Sequence, residues 1–185
     1  MVSRSGRVLV VGCLLGAAGL VVGCGDSAER EYALPSTLCG VDMEQDLYDP
    51  LFPAGSNVDA HRSFEDFDRQ PARACRILVD DEMVLNADAS GWGDAEDYDP
   101  EGHGFDKADG ERVPGEFEAV VWPGLAVASA PCAAPGISGH AFETLTLVLE
   151  AEHPGDDDES REVLAGVIQP LFAGVLEMTP CEEHA

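Results

Sequence analysis

The stretch that decides the fold is residues 75–90, CRILVDDEMVLNADAS. Cys75, Ile77 and Val79 share one parity, which in a strand places their side chains on one face. Residues 80–82 supply an acidic turn, and the alternation resumes after it. The apolar positions of the second strand are Met83, Leu85, Ala87 and Ala89. Period-two alternation with a polar opposite face predicts an antiparallel hairpin with one wet side.

The rest of the chain supplies two helices and further strands. Apolar spacing predicts a short helix within 38–52, capped by Asp42, and a long helix over 159–178. Phe64 and Phe67 fit an edge strand. Strands are also expected at 117–121, 125–129 and 142–152, with a loop over 131–140. This order predicts an α+β domain, in which an antiparallel sheet carries two helices packed on one face.

Residues 91–112 form a long acidic loop with no useful periodicity. Such loops in compact domains are usually functional or disordered. Asp97, Asp99 and Glu101 have the spacing by which a calcium loop presents oxygens at positions 1, 3 and 5, before a glycine at position 6. Position 12 is Ala108, so the bidentate glutamate is missing. The spacing predicts a weak calcium site; the alternative is a solvated loop, and no other cofactor is indicated.

Acidic residues dominate the composition. There are 36 Asp and Glu against 10 Lys and Arg, which gives a formal charge of −26. A nucleic-acid binder needs a basic surface against the phosphates, so this charge excludes that class of function. The hydrophobic share of 45% is normal for a globular protein, so the acidity does not predict disorder. A halophilic habitat is a second explanation for the acidity.

Residues 1–23 have the features of a signal peptide. Arg4 and Arg7 form a positive start, and the uncharged apolar run after them is shorter than the roughly 20 residues of a spanning helix. Residues 21–24, VVGC, resemble a bacterial lipobox. That resemblance implies cleavage before Cys24 and attachment of diacylglycerol, with acyl chains such as palmitate, to its sulfur. The alternative is an ordinary cleaved signal peptide.

The mature chain is therefore predicted to be a lipoprotein with one folded domain. Residues 24–33 are expected to form a flexible tether, and 34–185 a single α+β globular domain. The lipid on Cys24 makes the membrane a partner. The expected location is the extracytoplasmic face of the cell membrane.

Four cysteines remain after Cys13 leaves with the signal peptide and Cys24 takes the lipid. They are Cys39, Cys75, Cys132 and Cys181. An even number in an exported chain predicts two disulfides, and no pair has the spacing of a zinc or thioredoxin-like motif. The count alone leaves their connectivity open.

The chain resembles small exported lipoproteins of streptomycete-type actinobacteria, a largely uncharacterised group. The resemblance lies in residues 34–40, LPSTLCG, in residues 75–80, CRILVD, and in Cys132 before a strand whose partner helix ends at Cys181. It implies the location and the fold, and it implies the pairs Cys39–Cys75 and Cys132–Cys181. The alternation in the strand agrees with the first pair, since Cys75 shares the core-facing side of Ile77 and Val79, where the first helix is expected to pack.

These features favour a non-enzymatic module that binds an unknown protein or ligand at the cell surface. The alternative class is an exported hydrolase that uses an acid pair, or Ser138 and His140, in a cleft. Gly136 to His140 departs from G-x-S-x-G because histidine stands at the last position. A weak calcium-binding surface protein is the third candidate, and no catalytic residue is assigned.

We expect Cys24 to become the lipidated N-terminus. A Cys24→Ala variant lacks the sulfur that accepts the lipid, so it should appear in the medium or as uncleaved precursor. Cell fractionation and the mass of the N-terminal peptide measure this. Normal processing and membrane retention of the variant would contradict the lipoprotein prediction.

Overall fold

The computed structural model describes residues 29–67, 72–91, 93–135 and 141–181. Its helices are α1 (Gln45–Tyr48) and α2 (Asp157–Met178), and its strands are β1 (Val58–Arg62), β2 (Arg73–Val79), β3 (Glu82–Ser90), β4 (Glu111–Arg112), β5 (Glu118–Trp122), β6 (Leu125–Pro135) and β7 (Ala141–Ala151). The strands form one antiparallel sheet in the order β1-β2-β3-β7-β6-β5-β4. Helix α2 packs on β5, β6 and β7, and α1 packs against α2. The predicted α+β architecture is confirmed.

The hairpin of β2 and β3 is present, with one correction to its alternation. Asp80 and Asp81 form the turn with φ of 49° and 71°, the left-handed conformation of a two-residue hairpin turn. The register then shifts, because Ile77 pairs with Leu85 while the next residue of β2 pairs with Met83. This bulge turns Met83 outward, to 49% exposure, and buries both Val84 and Leu85.

The helix predicted within 38–52 is much shorter in the structure. Cys39 and Gly40 have φ of 56° and 86°, so the chain reverses there, and Leu38 pairs with Val41 instead of entering a helix. One α-helical turn and a 3-10 turn over 49–51 follow. The N-cap residue of α1 is Glu44, and its side chain forms no capping hydrogen bond. The prediction that Asp42 caps this helix was therefore wrong.

Two further boundaries differ from prediction. The edge strand is β1, ahead of the predicted position, and Phe64 begins a 3-10 turn in which its side chain is fully buried. Strand β6 continues through Pro135 into the predicted loop. The long helix α2 is nearly as predicted, and the Asp156 carboxylate caps it by accepting hydrogen bonds from the N–H groups of Asp158 and Glu159, both at 3.1 Å.

Both faces of the sheet carry packed side chains. The main core lies under α2, whose buried apolar residues are Leu164, Val167, Ile168, Leu171, Phe172, Val175 and Leu176. A smaller cluster lies on the opposite face, where Val120, Trp122, Leu125 and Val127 pack with Ala95. The predicted wet side is therefore covered over β5 and β6 by the segment that follows β3.

Two disulfides join the domain, Cys39 to Cys75 and Cys132 to Cys181. Their Cα–Cα distances of 5.6 and 4.9 Å suit disulfide geometry. The first ties the N-terminal segment to β2, and the second ties β6 to the end of α2. These are the pairs that the resemblance implied, and all four residues are buried.

We expect the second disulfide to supply a large part of the stability. It closes a loop of sequence separation 49, and the chain-entropy relation gives about 4 kcal/mol for loops of this size. The double variant Cys132→Ala/Cys181→Ala should lose about that much free energy of unfolding in urea. Peptide mapping without reductant should show both pairs, and a peptide joining Cys39 to Cys132 would contradict the assignment.

Candidate functional site

A cleft of about 810 Å³ lies on the sheet face opposite α2. Its floor comes from three neighbouring strands, because Ala74 of β2 pairs with Asp88 of β3, and Asp88 pairs with Val148 of β7. Ser90 and Thr146 form the next pair along the same face. We call this space the acidic cleft, with Ala74, Asp88 and Val148 as its floor.

The wall of the acidic cleft is the covering segment, residues 93–110, which connects β3 to β4. Polar side chains of the sheet hold it in place. The Thr146 hydroxyl donates to the Gly93 carbonyl at 2.6 Å, and the Ala95 N–H donates to the Ser129 hydroxyl at 2.7 Å. Trp122 Nε1 donates to the Asp106 carbonyl at 3.0 Å. The Ala95–Ser129 bond is buried and the other two are partly buried, and together they fix the wall on the sheet.

A chain of hydrogen bonds crosses from the wall to the floor at one end of the cleft. Tyr98 Oη and His103 Nε2 are 2.6 Å apart, and His103 Nδ1 and Glu150 Oε1 are 2.7 Å apart. Asn86 Nδ2 donates to the other carboxylate oxygen at 2.6 Å. An ionised carboxylate only accepts, so Nδ1 of His103 is the donor to Glu150. In a neutral ring, Nε2 then accepts the hydrogen bond of the Tyr98 hydroxyl.

This chain has the order carboxylate, imidazole, hydroxyl by which catalytic triads move a proton. Here the hydroxyl is a phenol whose pKa is raised, mainly by burial and further by the charges of Glu150, Asp99 and Asp88. Tyr98 therefore remains a neutral donor, and the surrounding carboxylates oppose an oxyanion. The arrangement suits the positioning of a ligand and of the wall better than nucleophilic attack.

The predicted calcium ligands do not converge in the structure. Asp97 and Asp99 line the acidic cleft, whereas Glu101 lies in the next 3-10 turn. The Asp99 carboxylate accepts the Glu101 N–H at 3.0 Å, and Asp106 caps the following turn in the same way. Among the described residues, no group of three or more His, Cys, Asp or Glu is placed to hold a metal ion. Of the three acids, Asp99 caps a turn, and calcium binding stays a prediction.

Other predicted residues lie outside the described ranges. Cys24, Ser138 and His140 belong to this group, so lipidation and the Ser/His alternative stay predictions. None of the described helices combines the length and the apolarity needed to cross a bilayer.

Sequence reasoning missed the chain of Tyr98, His103, Glu150 and Asn86. The pattern had placed Glu150 on a polar strand face, but its partners lie 47 and 64 positions away. Only the strand register brings them together, so no local spacing reports them.

Comparison with protein-family models, with curated proteins and with solved structures finds no match to this chain. The geometry of the acidic cleft is therefore the feature of the described residues that bears most directly on function.

We expect Tyr98 to ionise at a higher pH than a free tyrosine, and Glu150→Gln to lower that pH. A pKa raised in the folded state means that the unfolded chain releases the proton first, so stability falls as the pH rises above about 10. Removing the Glu150 charge takes away one cause of the shift, while burial remains the larger cause. The measurement is the ultraviolet absorbance of tyrosinate during an alkaline titration.

The difference from Tyr98→Phe isolates this residue, because burial also raises the pKa values of Tyr32 and Tyr48. Glu152→Gln is the matched control, since it removes the same charge from an exposed position nearby. Coinciding curves for wild type and Glu150→Gln would show that the 150 carboxylate does not act on Tyr98.

Proposed function

We propose that this chain is an exported lipoprotein whose folded domain binds a small ligand in the acidic cleft at the outer face of the cell membrane. The observation that carries the binding role is the cleft itself. Its volume of about 810 Å³ lies within the range of small-molecule sites, about 300–1,000 Å³. The role is non-enzymatic, because the hydroxyl that a triad would activate is a neutral phenol among carboxylates.

The construction of the cleft supports this role. The floor consists of paired strands in the middle of the sheet, so it is rigid. It presents Ala74 and Val148 beside the polar side chains of Asp88, Ser90, Thr146 and Glu150. The wall is an irregular segment held by hydrogen bonds to two buried residues, Ser129 and Thr146. Binding sites commonly combine a rigid scaffold with a connecting segment of this kind.

The contacts of the N-terminal segment limit how far the domain can lie from the proposed lipid anchor. Residues 30–32, which the prediction assigns to the tether, lie against the domain in the structure. Arg30 pairs with Asp49, the Glu31 N–H donates to the Gly55 carbonyl at 2.8 Å, and Tyr32 Oη donates to the Pro53 carbonyl at 2.6 Å. A tether from Cys24 to residue 29 spans at most about 20 Å. The proposed anchor therefore keeps the domain close to the membrane.

A substitution that fills the cleft tests the proposed binding role. Ala74 lines the floor, so Ala74→Phe should occupy the space without changing the charge. The full mature protein in detergent is dialysed against a defined mixture of acidic, neutral and basic metabolites, and retained compounds are quantified by mass spectrometry. We expect the wild type to retain a small set of compounds and Ala74→Phe to lose them.

Ala60→Phe is the matched control, because it places the same side chain on the exposed edge strand β1. It should retain what the wild type retains. Equal retention by wild type and Ala74→Phe would overturn the proposed function.

A further inference from the structure

We propose that four side chains close one end of the acidic cleft and thereby limit the length of the ligand. These are Tyr98, His103, Glu150 and Asn86, which we call the bridge, and a second cavity lies directly beyond it. The inference rests on the proposed binding role and makes His103 a residue that determines the specificity of the site.

The second cavity has a volume of about 460 Å³ and continues the acidic cleft along the same two strands. The acidic cleft lies over Asp88 of β3 and Val148 of β7, which pair with each other. The next pair on this face of the sheet is Asn86 with Glu150. Beyond that pair, residues 83–85 of β3 line the second cavity. The two cavities are therefore consecutive parts of one groove, with the pair of Asn86 and Glu150 at their boundary.

The members of the bridge follow one another from the first cavity into the second. Tyr98 lines the acidic cleft, and Asn86 lines the second cavity. Between them, His103 and Glu150 line both cavities. The hydrogen bonds have the same order. His103 Nε2 is 2.6 Å from Tyr98 Oη, and Glu150 accepts from His103 Nδ1 at 2.7 Å and from Asn86 Nδ2 at 2.6 Å. A continuous row of bonded side chains thus stands where the two cavities meet.

The backbone that carries His103 is fixed by its own turn. His103 is the last residue of the 3-10 turn Pro100–His103, and the Asp99 carboxylate caps the start of this turn by accepting the Glu101 N–H at 3.0 Å. Gly104 ends the turn with φ of 86°, a left-handed conformation that favours glycine, and its N–H donates to the Glu101 carbonyl at 3.0 Å. The turn therefore sets the point from which the imidazole reaches across the groove.

The wall is also anchored on both sides of His103 in the chain. Thr146 accepts this role before it, through the hydrogen bond to the Gly93 carbonyl, and Trp122 does so after it, through the bond to the Asp106 carbonyl. A ligand cannot lift the wall at His103 without straining these bonds. A compound that extends past the acidic cleft must therefore break the hydrogen bonds of the bridge, and their loss reduces its affinity.

Equilibrium dialysis with paired compounds tests this inference. Each member of the metabolite mixture described above is accompanied by a homologue that is lengthened at one end by a butyl chain. Wild type should retain its compounds at least about tenfold better than their homologues, since methylene groups without room in a pocket cost at least that factor. His103→Ala removes the imidazole from the boundary and should retain each compound and its homologue equally.

The substitution at His103 should leave the fold and the acidic cleft intact. The side chain is 29% exposed, and its removal leaves the hydrogen bonds that anchor the wall unchanged. Retention of the shorter compounds by His103→Ala shows directly that the cleft is preserved. Glu150→Ala removes the other residue that lines both cavities, and it should lose the discrimination as well. If His103→Ala retains no compound, Glu150→Ala decides the question by the same comparison.

Two matched controls keep the bridge and should discriminate as wild type does. Glu152→Ala removes a carboxylate that lines the second cavity but forms no part of the bridge. His61→Ala makes the same change as His103→Ala at an exposed position of β1.

Discrimination by His103→Ala as strong as that of wild type would overturn the inference. Equal retention of compounds and homologues by wild type, or an equal loss of discrimination in Glu152→Ala, would overturn it likewise. In these cases the binding role stands as long as Ala74→Phe loses the compounds that wild type retains. If Ala74→Phe retains as much as wild type, the proposed function itself fails.

Discussion

The pairing of β7 between β3 and β6 is the constraint on which the rest of the structure depends. It joins the hairpin of β2 and β3 to the second group of strands, although β3 and β7 lie about 60 residues apart in the chain. One face of β7 places Leu145, Leu147 and Leu149 under α2, each fully buried. Burial of each such side chain contributes roughly 1.5–3 kcal/mol. A slip of one residue would exchange this face with Thr146, Val148 and Glu150, and would lose the core and the cleft together.

The acidity of the chain has several local uses. Asp156 caps α2, Asp99 and Asp106 cap 3-10 turns, and the Asp80 carboxylate accepts hydrogen bonds from the N–H groups of Ser56 and Asn57. In each case a carboxylate satisfies backbone donors that the local conformation leaves free.

The sequence predicted the elements that have their own periodicity. The alternation within 75–90 and 142–152 and the apolar stripe of α2 gave the hairpin, β7 and the helix almost at their observed bounds. Predictions failed where the backbone departs from the regular pattern. The chain reverses at Cys39 and Gly40, which shortens the expected helix, and the bulge at Met83 interrupts the alternation of β3. The cleft was beyond prediction, since His103 and Glu150 meet only through the register of the sheet.

The acid spacing at Asp97, Asp99 and Glu101 does not by itself determine how the backbone arranges these side chains, so calcium binding stays a prediction. Oxygens at alternate positions wrap an ion only if the backbone curls around one centre. Here Pro100 begins a 3-10 turn, and the Asp99 carboxylate turns back to the Glu101 N–H. Hydrogen bonds with Ser129, Thr146 and Trp122 hold the covering segment, which contains three 3-10 turns, over β5, β6 and β7. The positions of the acids around the cleft therefore depend on these hydrogen bonds and on the strand register, and not only on their spacing in the sequence.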